Sequence, residues 1–280
     1  MTDFEIALTV IGGILLVAMI AVLLYVFVII RPSAKKPQNK KLLCDYAHRG
    51  LHKGNKIGTP PENSLEAFEL ACRAGYGIEL DVQLSSDGVV MVFHDDTLIR
   101  MTGREGKIKD YTAAALGEIR LAESEQTIPT FSEVLELVGG RVPLLVELKG
   151  ESFDRSLCPK VAELLKDYKG EYCIESFNPI LVGEMKKQLP NCFRGLLYTD
   201  ACKDKKKVNV TNVAVTLMLL NVIARPDFIA YGKDCRNYLP VKITTGLFRA
   251  PKFVWTVRGE GEIDVARKKG EHPIFEMLDK

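Results

Sequence analysis

Histidines, carboxylates and basic residues stand at the ends of four short apolar runs in this sequence. The four motifs are Ala47-His48-Arg49-Gly50, Glu79-Leu80-Asp81, Phe93-His94-Asp95 and Glu147-Leu148-Lys149. Residues i and i+2 of a strand project from the same side. Glu79 and Asp81 can therefore direct two carboxylates at one point, and Glu147 and Lys149 share a side in the same way. The motifs predict one phosphate-handling site that is built from several strand ends.

Three carboxylates in this set, Glu79, Asp81 and Glu147, are candidate metal ligands. Carboxylate oxygens, completed by neutral oxygens or water, suit a hard divalent cation rather than Zn²⁺. The sequence therefore predicts one divalent cation, Mg²⁺ or Ca²⁺, with Mn²⁺ as a further candidate. Such a cation would neutralise the charge of a phosphate.

Basic and proton-transferring side chains complete this set. Arg49 offers a planar fork of donors and Lys149 offers a point charge, and both suit phosphate oxygens. His48 and His94 can exchange protons near neutral pH. Taken singly, a strand-end histidine or an isolated ELD is usually structural. The co-occurrence of all four motifs, with Pro61-Glu62-Asn63-Ser64 between the first two, favours hydrolysis of a phosphodiester.

The same motifs carry a resemblance to a known family. AHRG, PENSLEAF, IELDV, FHDDTL and VELK, in this order and spacing, resemble the glycerophosphodiester phosphodiesterase family, and ESFNP, ARPDFIAY and VWTV are further similarities. The resemblance covers residues 43–276. It implies a catalytic pair, a metal-binding set and phosphate-binding groups. These are, in that order, His48 and His94; Glu79, Asp81 and Glu147; and Arg49 and Lys149, with Glu62 near the first histidine as a further substrate-site residue.

A second feature is the apolar run from Phe4 to Ile30, which carries no charge from Ile6 onward. It exceeds the roughly 20 residues that a helix needs to cross a bilayer. A cleaved signal peptide is the rival interpretation, but such peptides have a basic front end and a shorter apolar core. The front of this run is acidic, with Asp3 and Glu5. We therefore expect a retained single-pass anchor in the cell membrane over residues 1–31.

Charge beside the anchor predicts its orientation. Basic residues crowd its C-terminal flank and tend to remain cytoplasmic; they are Arg31, Lys35, Lys36, Lys40 and Lys41. We expect a basic, extended and solvated linker over residues 32–42 and a cytoplasmic catalytic domain over residues 43–280. The predicted partners are the substrate and the membrane.

Composition excludes several classes of protein. The formal net charge of +2 gives no indication of nucleic acid binding. The seven cysteines are odd in number and scattered, which favours reduced thiols over a disulfide framework. The sequence has no CxxC pair, and a zinc site is not expected.

The order of elements indicates an α/β fold. Helical stretches separate most of the apolar strand candidates, which lie at 43–47, 77–82, 89–94, 143–147, 171–175, 193–198, 227–230 and 253–257. This alternation predicts a TIM-type (β/α)8 barrel, preceded by one transmembrane helix, with the site at the carboxyl ends of the strands. The family resemblance implies an inserted helical region between His94 and Thr127. The chain departs from the usual family ending, so we expect a short final strand, with His272 in a loop.

Two segments allow two interpretations each. The apolar stretch from Val208 to Ala224 is short and interrupted by polar residues, which favours an outer barrel helix over a helix that touches lipid. The single tryptophan, Trp255, either contacts a glycerol group or fills the barrel mouth.

The expected activity is metal-dependent hydrolysis of glycerophosphodiesters to an alcohol and glycerol 3-phosphate, with acid and base catalysis by the histidine pair. A phosphoinositide-type phospholipase C is one alternative, which product analysis would separate. A lysophospholipase D acting on membrane lysolipids is another, which substrate comparison would separate. A catalytically silent, membrane-tethered lipid-binding module is the alternative from a different class.

Overall fold

The computed structural model describes residues 2–33, 35–150 and 153–277. Its strands are β1 (Tyr46–Ala47), β2 (Gly77–Leu84), β3 (Val90–Val92), β4 (Leu144–Leu148), β5 (Tyr172–Ser176), β6 (Phe193–Tyr198), β7 (Phe228–Gly232), β8 (Lys252–Arg258) and β9 (His272–Glu276). Its helices are α1 (Asp3–Leu24), α2 (Leu65–Ala74), α3 (Ile99–Thr102), α4 (Ala113–Gly117), α5 (Phe131–Val138), α6 (Leu157–Asp167), α7 (Pro179–Gln188), α8 (Ala201–Asp204), α9 (Val210–Thr216), α10 (Asn221–Ala224), α11 (Leu239–Lys242) and α12 (Gly259–Lys268).

Eight parallel strands close into a barrel, as the sequence predicts. β1, β2 and β4 to β9 pair in parallel, and β1 closes the ring by pairing with β2 on one side and with β9 on the other. The closing strand is only two residues long, Tyr46 and Ala47. The first and last strands of the barrel domain therefore meet at its seam.

The identity of two strands differs from the expectation. The predicted barrel strand at 89–94 is β3, which pairs antiparallel with β2 and lies outside the ring. Only five residues, 85–89, connect these two strands, and a parallel crossover needs a dozen or more residues. The eighth barrel strand is instead β9, so His272 begins a strand rather than lying in a loop. Its ring lies 5.2 Å from that of Phe253, at the amino ends of the strands.

The barrel interior changes from apolar to charged along its axis. In β4, Leu145 faces inward below Glu147, and in β5 Cys173 faces inward below Glu175. Side chains at i and i+2 share a face, so each strand supplies an apolar residue at its amino end and a functional one at its carboxyl end. The buried apolar layer consists of Leu42, Tyr46, Leu145, Cys173, Phe193, Leu197, Phe228, Ala230, Phe253 and Ile274.

The alternate residues of the strands face the outer helices. Leu80 and Val82 of β2 are buried against this outer layer, with Phe68 of α2. The side chain of Ser64 caps α2 by accepting a hydrogen bond from the Ala67 N–H, and Gly75 ends the helix in the left-handed conformation. This local chemistry fixes the direction of the segment that carries Glu62 and Asn63.

Residues 94–127 form the inserted region that the family resemblance implies. They contain α3, α4 and short turns, and a bridge joins Arg120 to Thr127. The insertion has an apolar cluster of its own beside β3. It is therefore a packed lobe beside the mouth of the barrel.

The apolar stretch at 208–224 is not one outer helix. It forms two short helices, α9 and α10, which are separated where Met218 adopts a φ of 52°. A left-handed residue interrupts the helical hydrogen-bond pattern, so a single helix does not form. The prediction of an outer barrel helix was wrong in this respect.

The N-terminal helix is long and apolar enough to span a membrane, a property that signal sequences share. It continues from α1 into a π-helical turn at Tyr25–Ile29. The turn packs against the barrel: the Tyr25 hydroxyl donates to the carbonyl of Leu217, and the Asn221 side chain donates to the carbonyl of Ile30. Ile30 is fully buried. The end of this helix thus belongs to the outer layer of the barrel.

The basic segment after the helix crosses the amino ends of the strands. Lys35 donates to the carbonyl of Pro190, before β6, and Asn39 donates to Glu171, before β5. Leu42 is buried beneath the barrel. These contacts differ from the expected solvated linker, because the segment reaches β1 by following the underside of the ring. Each of the seven cysteines, all in the described part of the chain, is a free thiol.

Candidate active site

The sequence motifs converge at the carboxyl ends of β1, β2 and β4, which are neighbours in the barrel. Glu79 and Asp81 face inward from β2, and Glu147 faces inward from the adjacent β4. One oxygen from each carboxylate lies within 4.8 Å of the others. All three residues are buried. This is the set of carboxylates expected to bind a metal ion.

The electrostatics of this cluster fit a cation. Burial and the neighbouring Asp81 and Glu147 raise the pKa of Glu79 well above its ordinary value. Burial also raises the pKa of Glu147 to about 7, against the charge of Lys149. Burial opposes ionisation of Asp81 too, but Lys149, His94 and Arg49 hold its pKa below the usual range. Among the described residues, no donor makes a well-oriented hydrogen bond to Asp81 Oδ1. Three crowded, buried carboxylates are suited to a divalent cation.

Lys149 lies beside two of these carboxylates. Its Nζ atom is 2.8 Å from Glu147 Oε1 and 3.1 Å from Asp81 Oδ1. Burial alone would lower the pKa of Lys149, but the two carboxylates raise it above the ordinary value. The ammonium group is therefore a fixed positive charge at the site.

Arg49 occupies a sharp turn after β1. Its φ is 56°, and its backbone N–H donates to Glu79 Oε2 at 2.9 Å. Gly50 has a φ of 82°, and a Cβ on it would lie 2.9 Å from Ala67, so the turn requires glycine there. The AHRG motif thus specifies a backbone conformation as well as the side chains of the site.

Glu62 is a partner of arginines rather than a lining residue of the cleft. It accepts hydrogen bonds from Arg49 at 2.7 Å and from Arg100 at 2.6 Å. Although burial opposes ionisation, Arg100 and Arg49 lower the pKa of Glu62. Asn63, next to it, donates to Asp81 Oδ2 at 2.9 Å. The PENS motif therefore orients Arg49 and Asp81 through these hydrogen bonds.

His48 is oriented by a carboxylate from the last strand. Its Nδ1 atom lies 2.7 Å from Glu276 Oε1, and its Nε2 atom lies 3.9 Å from Glu79 Oε2. Burial lowers the pKa of His48, and the hydrogen bond with Glu276 partly offsets this. Burial opposes ionisation of Glu276, but His48 and Arg258 lower its pKa to about 2. A carboxylate on Nδ1 directs Nε2 toward the cluster.

His94 has an equivalent partner. Its Nδ1 atom lies 2.6 Å from Asp95 Oδ1, and Arg100 holds that carboxylate. Burial also lowers the pKa of His94, and Asp81 partly offsets this. Both histidines line the same cleft. Because Nδ1 of each ring is hydrogen-bonded to a carboxylate, Nε2 is the atom available for proton transfer.

The cleft has an apolar wall opposite the charged groups. Trp255 lines it and packs edge-to-face on Phe177, with ring centroids 5.5 Å apart. The indole N–H donates to the carbonyl of Ala230, so the ring is held in place. The cleft is lined by His48, Arg49, Glu79, His94, Glu147, Glu175, Phe177, Leu197, Trp255, Thr256 and Ile274.

Two residues of the site escaped the sequence-based assignment. Glu175, the penultimate residue of β5, is in register with Glu147 and buried. Burial and that neighbour raise the pKa of Glu175. Its position at the end of an apolar run could have identified it as a candidate site residue. Glu276 is the partner of His48, and only the closure of the barrel identifies it.

A model of the glycerophosphoryl diester phosphodiesterase family matches residues 48–276, which include all of these groups. A glycerophosphodiester phosphodiesterase of Bacillus altitudinis is 33% identical over 204 residues, or 70% of this chain and 74% of that protein. One of Caldanaerobacter subterraneus is 38% identical over 163 residues, or 54% of this chain and 65% of that protein.

Solved structures share the fold. A Thermotoga maritima glycerophosphodiester phosphodiesterase is 27% identical, with a TM-score of 0.63 over 83% of this chain and 94% of that one. An Oleispira antarctica phosphodiesterase, determined with the product sn-glycerol-3-phosphate, is 24% identical, with a TM-score of 0.66 over 83% and 92%. Because the family match covers most of the sequence and every motif of the cleft, this chain belongs to the glycerophosphoryl diester phosphodiesterase family.

Proposed function

We propose that this protein hydrolyses glycerophosphodiesters to an alcohol and glycerol 3-phosphate, in a reaction that depends on a divalent cation. The observation that carries the proposal is the convergence of three buried carboxylates and two carboxylate-bound histidines on one cleft. Membership of the family supports the reaction class.

Glu79, Asp81 and Glu147 would hold the cation, Mg²⁺, Ca²⁺ or Mn²⁺. When bound, it would supply positive charge that neutralises the non-bridging phosphate oxygens. Arg49 and Lys149 add donors on the same side of the cleft, with Arg49 oriented by Glu62. Trp255 presents an apolar surface for the glycerol carbons.

His48 and His94 act as a pair. One removes a proton at Nε2 from the nucleophile, which is water or the neighbouring glycerol hydroxyl. The other donates a proton to the departing alcohol. The carboxylates on Nδ1, Glu276 and Asp95, keep both rings oriented and stabilise each imidazolium as it forms.

We further propose that the N-terminal helix anchors the protein in the cell membrane, with residues 32–42 as a basic linker and the barrel of residues 43–280 in the cytoplasm. Its apolar length supports the anchor, and the basic residues that follow it support the orientation. A reporter fused after residue 277 that was active only outside the cell would contradict the cytoplasmic orientation.

The test is an assay of glycerol 3-phosphate release by the full-length chain in detergent. The protein is stripped of metal, then supplied with Mg²⁺, Ca²⁺ or Mn²⁺ and with several glycerophosphodiesters. We expect metal-dependent release that falls by about 10²-fold or more in His48→Ala and in His94→Ala. His272→Ala is the matched control, because that histidine lies at the opposite end of the barrel. Near-normal rates in both cleft variants would exclude the histidine mechanism.

A lysolipid is the second candidate substrate, supported by the apolar wall of the cleft that Phe177, Leu197 and Trp255 form. Comparison of a soluble diester with a lysolipid, by product analysis, ranks the two. Release of a phosphorylated head group instead of glycerol 3-phosphate would indicate a phospholipase C. Binding of lipid with no release under any metal would indicate a non-enzymatic module.

A further inference from the structure

We propose that the cleft-bearing face of the barrel lies directly on the lipid bilayer. This face, the docking face, comprises the loops that follow the carboxyl ends of the strands. The inference rests on the membrane anchoring in the proposed function and goes beyond it. An anchor alone would allow the cleft to face the cytosol; the structure favours one orientation.

The direction of the N-terminal helix is the first observation. Tyr25 bonds to the carbonyl of Leu217, whose neighbour Thr216 accepts a hydrogen bond from Tyr198, the last residue of β6. Tyr25 is therefore level with the carboxyl ends of the strands. Ser33 donates its N–H to the carbonyl of Pro226, before β7 begins, and is level with the amino ends.

The segment from Tyr25 to Ser33 thus runs down the barrel wall, from the cleft end to the opposite end. Upstream of Tyr25 the helix continues in the reverse direction, beyond the cleft end. α1 has 22 residues and is about 33 Å long, and none of its residues is buried. If α1 crosses a bilayer, the bilayer lies on the cleft side of the barrel.

Exposed apolar side chains on the docking face are the second observation. Ile57, in the connection after β1, is 78% exposed, and Val210, after β6, is 87% exposed. Further large apolar side chains that are exposed in the segments after strands are Phe153, Phe177, Val208 and Leu239, the last of which begins α11. Clustered exposed apolar residues mark an interaction surface.

The opposite face has fewer such side chains. In the described part of the chain, Leu247, before β8, is the one large apolar side chain that is exposed between an outer helix and the barrel strand that follows it. The apolar side chains are therefore concentrated on the face toward which α1 projects.

Charge is the third observation. Between α8 and α9, Lys205, Lys206 and Lys207 precede Val208 and are exposed. Lys56 stands next to Ile57 in the loop after β1. Lysines beside exposed apolar tips complement an anionic lipid surface. A bilayer fits this pattern better than a single protein partner, because the tips are spread over separate loops around the cleft mouth.

The test measures which end of the barrel contacts lipid. Trp255 is the single tryptophan, so full-length Trp255→Phe provides a background without tryptophan fluorescence. Into it we place Ile57→Trp or Val210→Trp on the docking face, or Lys169→Trp, the control, in the connection before β5. Each protein is reconstituted in phosphatidylcholine–phosphatidylglycerol vesicles, with or without brominated acyl chains that quench tryptophan.

We expect brominated lipid to quench Ile57→Trp and Val210→Trp but not Lys169→Trp. In the Ile57→Trp reporter, Val208→Asp combined with Val210→Asp should lower the ratio of docked to undocked protein about tenfold or more. Val265→Asp, on the outer helix α12, is the matched control and should leave the ratio unchanged.

Other outcomes separate the two proposals. Protein that fails to float with the vesicles contradicts the anchor. Floating protein in which Lys169→Trp is quenched, or in which none of the three is quenched, contradicts the docking face. A separate assay measures hydrolysis of glycerophosphocholine by full-length protein that retains Trp255, with and without Val208→Asp and Val210→Asp. Because neither valine lines the cleft, this assay tests the catalytic proposal and the folding of the variant independently of docking.

Discussion

Each histidine of the cleft is hydrogen-bonded to a carboxylate. The two carboxylates differ in their separation along the sequence from the histidine that they contact. Asp95 is adjacent to His94, whereas Glu276 reaches His48 only because β9 pairs with β1. The motifs identified both histidines and the three clustered carboxylates. They could not identify Glu276, because its proximity to His48 depends on barrel closure rather than on local spacing.

Glu276→Gln is expected to slow the reaction by about 10²-fold while the protein stays folded, because the imidazolium of His48 loses its counter-charge. The same change removes an interaction that raises the pKa of His48. The limb of the rate profile that reports His48 should therefore move to lower pH. Steady-state kinetics across pH measure both effects. Glu260→Gln, which removes an exposed charge near the same face, should change neither, and equal effects in the two variants would refute this role.

Glu62 gives a prediction about stability. Its pKa is lower in the folded protein than the ordinary value of 4.5, so its pairing stabilises the fold above that pH and the stabilisation is lost as pH falls. Glu62→Gln should lower the free energy of unfolding by about 1–3 kcal/mol at pH 7, with the difference from the unmodified protein shrinking below pH 4.5.

Denaturant titrations at several pH values measure this difference. Glu69→Gln is the control, since Glu69 pairs with Arg141 and Arg73 at the surface, where ion pairs contribute little. A constant difference for Glu62→Gln from pH 7 to pH 3 would contradict the linkage.

At the scale of elements, a glycine in β6 leaves space for an aromatic ring of the neighbouring strand β7. A Cβ at Gly195 would lie 2.1 Å from the Phe228 ring, inside the barrel. Phe228 also packs on Phe193, with ring centroids 4.8 Å apart, and so cannot move freely. The amino-terminal layer of the barrel interior is therefore filled by aromatic rings that use the space beside this glycine.

Gly195→Ala is expected to destabilise the protein by about 1–3 kcal/mol through overpacking. Gly261→Ala is the matched control: a Cβ there meets nothing within 4 Å, and alanine in α12 should stabilise the protein by about 0.5–1 kcal/mol. Thermal unfolding compares the two, and destabilisation of equal size in both would exclude the packing explanation.

Elements were predictable where a local pattern fixed them. The strands that carry Glu79 and Glu147 are continuous apolar runs, as buried parallel strands are. β3 is also an apolar run, and its sequence does not show that it returns antiparallel to β2, outside the ring, after a five-residue connection. The break at Met218 was not predicted either, because no glycine or proline marks it.

At the scale of the whole molecule, the N-terminal helix and the barrel share a packed boundary. The sequence shows where the apolar run ends, at Ile30, but not that its last turn is buried by the barrel. That turn contacts α10 through the side chain of Asn221, which lies about two hundred positions later in the sequence. Hydropathy alone could not separate the part of the run exposed in α1 from the part that packs on the barrel.

Truncation tests this boundary. A chain that begins at Leu24 should unfold at the same temperature as the full-length protein. A chain that begins at Lys40 loses the burial of Ile30 and should be less stable by about 1.5–3 kcal/mol or more. Full-length Ile30→Ala provides the matched point variant, with an expected loss of about 2–5 kcal/mol. Equal unfolding temperatures for all four proteins would show that the turn contributes nothing.

The two-residue strand at the barrel seam has a consequence for synthesis of the protein. His48 leaves the ribosome before most of the barrel has been made, whereas its partner Glu276, in the strand beside it, follows 228 positions later. Contacts of such high sequence separation form late, after the intervening units have folded. A growing chain therefore carries an incomplete cleft until β9 has been translated and can pair with β1.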